Sequence, residues 1–236
     1  MTNKTEIFHV HTWRCGHAEK VSDEAYVQRA IELGADRITF TDHAPFPGDP
    51  FGNRMKMDQL KEYITTLQAL KMKYKRDIDI QIGLEAEFLP SYYSYIEELS
   101  HNDGIDILLL GQHICEIKKG VWSFQLEDKS NEWMYILETE MEAMTTGLFD
   151  AVAHPDRAFR RCPCWDDKMA DIAEEFIAVA AHAHCIPLEK NISSYHTKKY
   201  YWKEFWNMLP LDYPTIIGCD AHALDELVIC TSDNFS

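Results

Sequence analysis

Short apolar runs alternate with longer amphipathic stretches along this chain, and most apolar runs end in ionisable residues. Ile7-Phe8 leads into His9-Val10-His11 and predicts a first strand; strand side chains alternate, which sets His9 and His11 on one face. Ser22-Asp23-Glu24 combines a capping hydroxyl with two acids in the positive first turn, and an apolar face of Tyr26, Ala30 and Leu33 beside Val27 and Ile31 runs to Gly34, predicting a helix. Arg37 to Thr41 is a β-branched and aromatic strand that delivers Asp42-His43, followed by the Pro/Gly-rich loop Ala44 to Pro50. Leu60, Ile64 and Leu67 line one side of a helix from Asp58 to about Arg76. A third strand over Ile78 to Leu84 ends in Glu85-Ala86-Glu87, and a helix over Tyr92 to Ser100 precedes the apolar strand Ile105 to Leu110, which ends in Gly111-Gln112-His113.

The second half repeats the scheme after a polar excursion, Lys118 to Ser130, whose Trp122 and Phe124 are suited to covering a pocket. A helix from Asn131 to Thr146 stops at Gly147, and a strand over Phe149 to Ala153 feeds His154-Pro155-Asp156. A helix over Asp166 to Ala183, a strand over Ile186 to Lys190 and a helix over Lys198 to Met208 follow. The last strand, Thr215 to Gly218, delivers Cys219-Asp220-Ala221-His222. A β-α unit repeated about seven times predicts parallel strands, and at 236 residues one α/β domain spanning the chain is expected. Barrels of such units collect their active sites at the carboxyl ends of the strands, where the polar residues of this chain fall.

Composition narrows the function. The formal charge of −16 argues against nucleic acid and anionic membranes as partners, yet clustered divalent cations would reverse the local field for a small anionic substrate. Seven cysteines, an odd number, in a chain with no export-like start and no membrane-length apolar run predict free thiols and a cytoplasmic protein. Cys162-Pro163-Cys164 lacks a second pair at zinc-finger spacing and is taken as loop thiols. Histidine is unusually frequent at eleven residues, as in a metal-rich enzyme.

The strand-end set is His9, His11, His17, His43, Glu85, His113, His154, Asp220 and His222. Its motifs, His9-x-His11 with His17, Thr41-Asp42-His43, Gly83-Leu84-Glu85, His113, His154-Pro155-Asp156 and Asp220-Ala221-His222, stand in the order found in the polymerase-and-histidinol-phosphatase (PHP) family, which the chain closely resembles. The resemblance implies a distorted (β/α)7 TIM-like barrel of the PHP type that holds two to three divalent metal ions, manganese, zinc or iron. Within the family, Pro45-Phe46-Pro47 and the run Ile82 to Pro90 look most like the histidinol-phosphate phosphatase branch. By that likeness His9, His11, Glu85 and Asp220 match the innermost metal's ligands, and Glu85, His113 and His154 those of a second metal. His17, His43 and His222 match positions around an outer metal or the phosphate.

Imidazoles with two carboxylates suit borderline transition ions, and paired cations can share a hydroxide that attacks phosphorus in line. His222 and Asp42 are candidates to protonate the leaving alcohol, Asp42 being equally suited to orienting a histidine. Arg157, Arg160 or the neighbouring Arg161 can fork onto phosphate, and Glu87 is an alternative to Glu85 as ligand. The branch's Gly-Arg after the Asn191 position is replaced here by Tyr195-His196-Thr197-Lys198, which leaves His196 or Lys198 to supply charge to the substrate. The family's closing helix after Asp220-x-His222 is expected to be short or missing. The expectation is hydrolysis of L-histidinol phosphate. Another small phosphate ester or nucleotide, or a non-catalytic metal-binding barrel, is the alternative.

Overall fold

A computed structural model describes residues 5–197 and 200–236. Its main sheet has seven strands in the order β1 (Glu6–Val10), β2 (Arg37–His43), β3 (Asp79–Ala86), β4 (Ile107–Leu110), β7 (Ala151–Val152), β8 (Leu188–Asn191) and β9 (Thr215–Gly218). The registered pairs are parallel, and Val10 bridges Ala221 in parallel just past β9. The last strand therefore returns to the first, which is the α/β barrel topology the β-α repeat predicts. A separate hairpin, β5 (Glu116–Lys118) with β6 (Val121–Trp122), occupies the stretch expected to be an irregular excursion. The described residues fall into two compact units: those of Met1–Glu85, His101–Leu108 and Ile217–Ser236, and those of Ala86–Ser100 and Leu109–Ile216.

The first unit is organised by β1, β2 and β3 with α1 (Asp23–Glu32) and α2 (Leu60–Lys73). Ser22 caps α1 by accepting from Ala25 N, and Tyr26, Val27, Ala30, Tyr63, Leu67 and Leu70 are the buried faces of the two helices. Gly83 is required by packing. A Cβ there would run into the side chain of Ile107 and approach Phe40 O at 2.9 Å, while Tyr63 Oη donates to Gly83 O at 2.8 Å. Beyond β9, Cys230 N donates to Glu6 O at 2.8 Å, so the final segment runs beside β1. Only 310 turns, Leu224–Glu226 and Ser232–Phe235, occur there among the described residues, in place of a closing α-helix.

The second unit carries α3 (Tyr93–Ser100), α4 (Glu132–Thr146), α5 (Asp167–His182) and two short helices, α6 (Ile192–His196) and α7 (Lys203–Asn207). Gly147, at φ 71°, ends α4 in the left-handed cap that its missing Cβ permits. Two expectations are corrected here, for the strand before His154 and for the helix over Lys198 to Met208. The strand over Phe149 to Ala153 contracts to Ala151–Val152. The first turn after β8 is already helical, with Asn191 Oδ1 capping Ser194 N. Part of the helix expected over Lys198 to Met208 lies outside the described residues; among those described it is limited to Lys203–Asn207, where Asp156 accepts from Trp202 N and Trp206 Nε1, both at 2.8 Å, and draws the aromatic segment inward. No described helix is long and apolar enough to cross a membrane.

Candidate metal centre

The first unit gathers His9, His11, His17, His43, Glu85, Asp220 and His222 at the carboxyl ends of β1, β2 and β3 and just past β9. Simple strand alternation does not bring His9 into place. Phe8 pairs with Thr39 and Val10 with Phe40, so His9 is the extra residue of a β-bulge and sits at φ 69°. Asp220 is also left-handed, at φ 54°. Such conformations cost about 1–3 kcal/mol each for residues with a Cβ and persist where the surroundings impose them. Their use here is to turn two side chains toward one point.

That point is defined by four atoms. His9 Nε2 lies 3.5 Å from Glu85 Oε2 and 3.7 Å from Asp220 Oδ1, and His11 Nε2 lies 3.6 and 3.2 Å from the same oxygens. Four ligands each about 2.1 Å from one tetrahedral cation stand about 3.4 Å apart. The donor types and spacing therefore fit a divalent transition ion held by His9, His11, Glu85 and Asp220. All four residues are buried.

Next to this group, His43 Nδ1 is 2.9 Å from Glu85 Oε2, and the donor atoms of His11, His43 and His222 lie within 4.8 Å of one another. Burial drives His43 well below the ordinary imidazole range and His222 down to about 3, where His11's positive charge adds to the effect. Burial also lowers His11, but the neighbouring carboxylates of Asp220 and Asp42 outweigh it and hold His11 above its ordinary value. A cation bound among these imidazoles and carboxylates would displace any proton they hold.

Asp42 is held from three sides. Thr12 Oγ1 donates to Oδ2, His43 N donates to Oδ1 at 3.0 Å, and His11 Nδ1 lies 3.7 Å from Oδ1. Thr12 in turn accepts from Arg14 NH1 at 3.1 Å, and Arg14 forks onto Asp23 at 2.8 and 2.9 Å and onto Glu62 at 2.7 and 3.0 Å. Every N–H of the guanidinium is used. Sequence reasoning missed this support; its only signal was a basic residue between two candidate ligands. Trp13 points outward at 37% exposure, with the Arg14 guanidinium against its ring.

The second unit places His113 and His154 with ring centroids 5.2 Å apart, and His113 Nδ1 lies 3.2 Å from Glu87 Oε1. Glu87 is thus a partner of His113. His154 is left-handed at φ 34°, and its N–H donates to Glu189 Oε2 at 3.2 Å, a fully buried carboxylate that sequence reasoning passed over. Arg157 hydrogen-bonds Asn191 Oδ1 at 3.1 Å and Ser194 Oγ at 2.8 Å, with Tyr200 against its face. Arg160 donates to His113 O at 3.3 Å and neighbours Glu132, which Arg161 also binds. With Lys129, Ser130, Cys162, Pro163 and Trp202, Arg160 and Arg161 line a cleft of about 670 Å³. His196 is exposed against Tyr195, and Lys198 lies outside the described residues. His182 is an exposed residue whose Nδ1 faces Ala178 O at 2.7 Å.

Fold and donor set together describe an α/β barrel whose strand ends carry buried His, Asp and Glu groups that could hold metal ions. A sequence model of the PHP domain matches residues 8–189, and the chain belongs to the PHP family. It is similar to a "Probable histidinol-phosphatase" of Deinococcus radiodurans, 32% identical over 160 residues, 63% of this chain and 59% of that protein. It is also 32% identical over 90 residues to the histidinol-phosphatase of Bacillus subtilis, 36% of this chain and 34% of that one. The matches thus span less than two thirds of these relatives. The histidinol phosphate phosphatase of Lactococcus lactis, solved with zinc, L-histidinol and phosphate, superposes with a TM-score of 0.72 at 22% identity, covering 94% of this chain and 87% of that one, and shares the fold.

Proposed function

We propose that the chain is a metal-dependent phosphomonoesterase that hydrolyses L-histidinol phosphate to L-histidinol and phosphate. The observation that carries this reading is the convergence of His9, His11, Glu85 and Asp220 at donor spacing, in a family whose relatives act on that ester. Two or three divalent cations of manganese, zinc or iron, when bound there, would supply a water acidified towards neutrality and an offset to the charge of the phosphate. The chain's residues set the conditions for that chemistry. His9, His11, Glu85 and Asp220 would hold one ion, and His43 and His222 would add donors beside it. Asp42, fixed by Thr12 and His43 N, orients the ring of His11. A neutral His222 serves as a ligand, and Glu87 fixes the ring of His113.

Arg157 and Arg160 supply positive charge for the phosphate in a protein that is otherwise acidic. Arg157 has its orientation set in advance by Asn191 and Ser194, which lowers the entropy cost of binding an anion. The setting is cytoplasmic, and the partner is a small phosphorylated molecule. The test is steady-state phosphate release from L-histidinol phosphate beside sugar, amino-acid and nucleotide phosphates. The proposal expects kcat/KM for histidinol phosphate to exceed the others. Equal or lower values would assign the centre to a different ester.

A further inference from the structure

The cleft between the segment that precedes α4 and the Cys162-Pro163 turn is drawn on by the hydrolytic reading only through Arg160. All of its lining belongs to the second unit. Three of the lining residues are cations, Lys129, Arg160 and Arg161. The one acid that pairs with them is the buried Glu132, shared between Arg160 at 3.5 Å and Arg161 at 2.8 Å. Asp128, close by in sequence, turns its carboxylate to Ser130 N at 2.9 Å and does not line the cleft. The cleft is therefore left with a surplus of positive charge in a chain whose formal charge is −16.

Donors in this cleft outnumber acceptors. The Lys129 ammonium makes no hydrogen bond or ion pair among the described residues. Arg161 donates through Nε to Glu132 Oε2 at 2.8 Å, and its two terminal nitrogens have no acceptor among the described residues. Trp202 lines the same cleft, and its Nε1 is buried without a hydrogen-bond partner. The contrast with its surroundings is sharp, because Trp202 N and Trp206 Nε1 both reach Asp156. A buried donor without an acceptor is unfavourable, and folded proteins seldom keep one to no purpose. An ammonium, a guanidinium edge and an indole N–H with no competing carboxylate are the donors that a doubly charged oxyanion satisfies.

We propose that this cleft binds a phosphate dianion, free or as the phosphoryl group of a small ester, in addition to the ester held for hydrolysis. The terminal nitrogens of Arg161 fork onto two oxygens, Lys129 adds a point charge, and Trp202 Nε1 donates to a third oxygen. Arg160 adds to the field, but its Nη2 is engaged with His113 O at 3.3 Å, so Lys129, Arg161 and Trp202 carry the binding. A volume of about 670 Å³ exceeds what a bare anion needs and leaves room for the organic part of an ester. No bound metal is required, so the inference stands apart from the hydrolytic centre.

Equilibrium dialysis of the full, metal-free chain against radiolabelled inorganic phosphate, above its second ionisation, provides the test. Binding should be saturable, and sulfate should displace the label where nitrate, a monoanion, does not. Lys129→Gln and Arg161→Gln should each weaken binding about tenfold, the loss of one charge-assisted hydrogen bond. Trp202→Phe keeps a ring but removes the N–H and should weaken it several-fold, while Arg157→Gln should leave it unchanged. Unlabelled glycerol 3-phosphate separates the sources: stronger displacement than by unlabelled phosphate assigns the cleft to an ester, and equal or weaker displacement assigns it to the free anion. Absence of bound phosphate, binding unchanged in both Lys129→Gln and Arg161→Gln, or binding lost only in Arg157→Gln would overturn the proposal. None of these results bears on the hydrolytic reading, which is judged by phosphate release from the metal-loaded chain.

Discussion

Replacing Arg14 with Met tests how the rim of the centre is supported. The guanidinium forms five hydrogen bonds, and its two acidic partners differ sharply in setting. The Asp23 side chain is 2% exposed, whereas that of Glu62 is 55% exposed. The Glu62 arm therefore contributes about 0–1 kcal/mol, as surface pairs do. The Asp23 arm is the large term, because Met leaves a carboxylate buried without its counter-charge at a cost of about 3–5 kcal/mol. For a chain of this size that is a fall in Tm of roughly 6–20 °C. Burial already pushes the Asp23 pKa up with Arg14 present, and without Arg14 it rises further. A carboxyl raised in the folded state contributes its stability below its unfolded pKa of about 3.9 and loses it as pH rises. The deficit of Arg14→Met should thus be largest near neutral pH and shrink towards pH 4. Urea unfolding of wild type, Arg14→Met, Glu62→Gln and Arg14→Met/Asp23→Leu at two pH values reads these terms. Glu62→Gln should cost at most about 1 kcal/mol, and the double variant should recover most of the loss. A pH-independent deficit below about 1 kcal/mol for Arg14→Met would refute the argument.

Three further predictions follow from single residues. His9→Asn keeps a residue that tolerates the left-handed backbone but removes the imidazole, so it should lose the inner metal and turnover while circular dichroism stays unchanged; full metal content in this variant would contradict the ligand assignment. Gly83→Ala should destabilise the chain by about 1–3 kcal/mol, since its Cβ meets Ile107 and the carbonyl of Phe40, and unchanged urea stability would refute that packing. Glu140 is buried, and burial together with the charge of Asp156 holds its pKa well above normal; its contribution is present at acid pH and lost as pH rises, so Glu140→Gln should raise Tm at pH 8 and match wild type near pH 4, and an equal gap at both would exclude this origin.

The barrel order and the rim were legible because each apolar run ended in the same residue types, a pattern that strand-end chemistry imposes. Other features had weaker signals. The bulge at His9 depends on how β1 registers against β2, and nothing in Phe8-His9-Val10 itself marks a left-handed residue. The hairpin of β5 and β6 was obscured by lysines and by strands of three and two residues. The helix placed over Lys198 to Met208 followed aromatic spacing, yet Asp156, some fifty positions earlier in sequence, fixes the backbone at Trp202 and the indole of Trp206.

The central claim is that the His9–His11–Glu85–Asp220 group holds catalytic metal for hydrolysis of L-histidinol phosphate. Its most direct test measures phosphate release from that ester and metal content on one preparation, before chelation, after chelation, and after re-addition of manganese or zinc. The account predicts two or three ions per chain, turnover lost with them, and recovery on re-addition. Full turnover after the ions are gone, or a fully loaded chain that leaves L-histidinol phosphate intact, would contradict it.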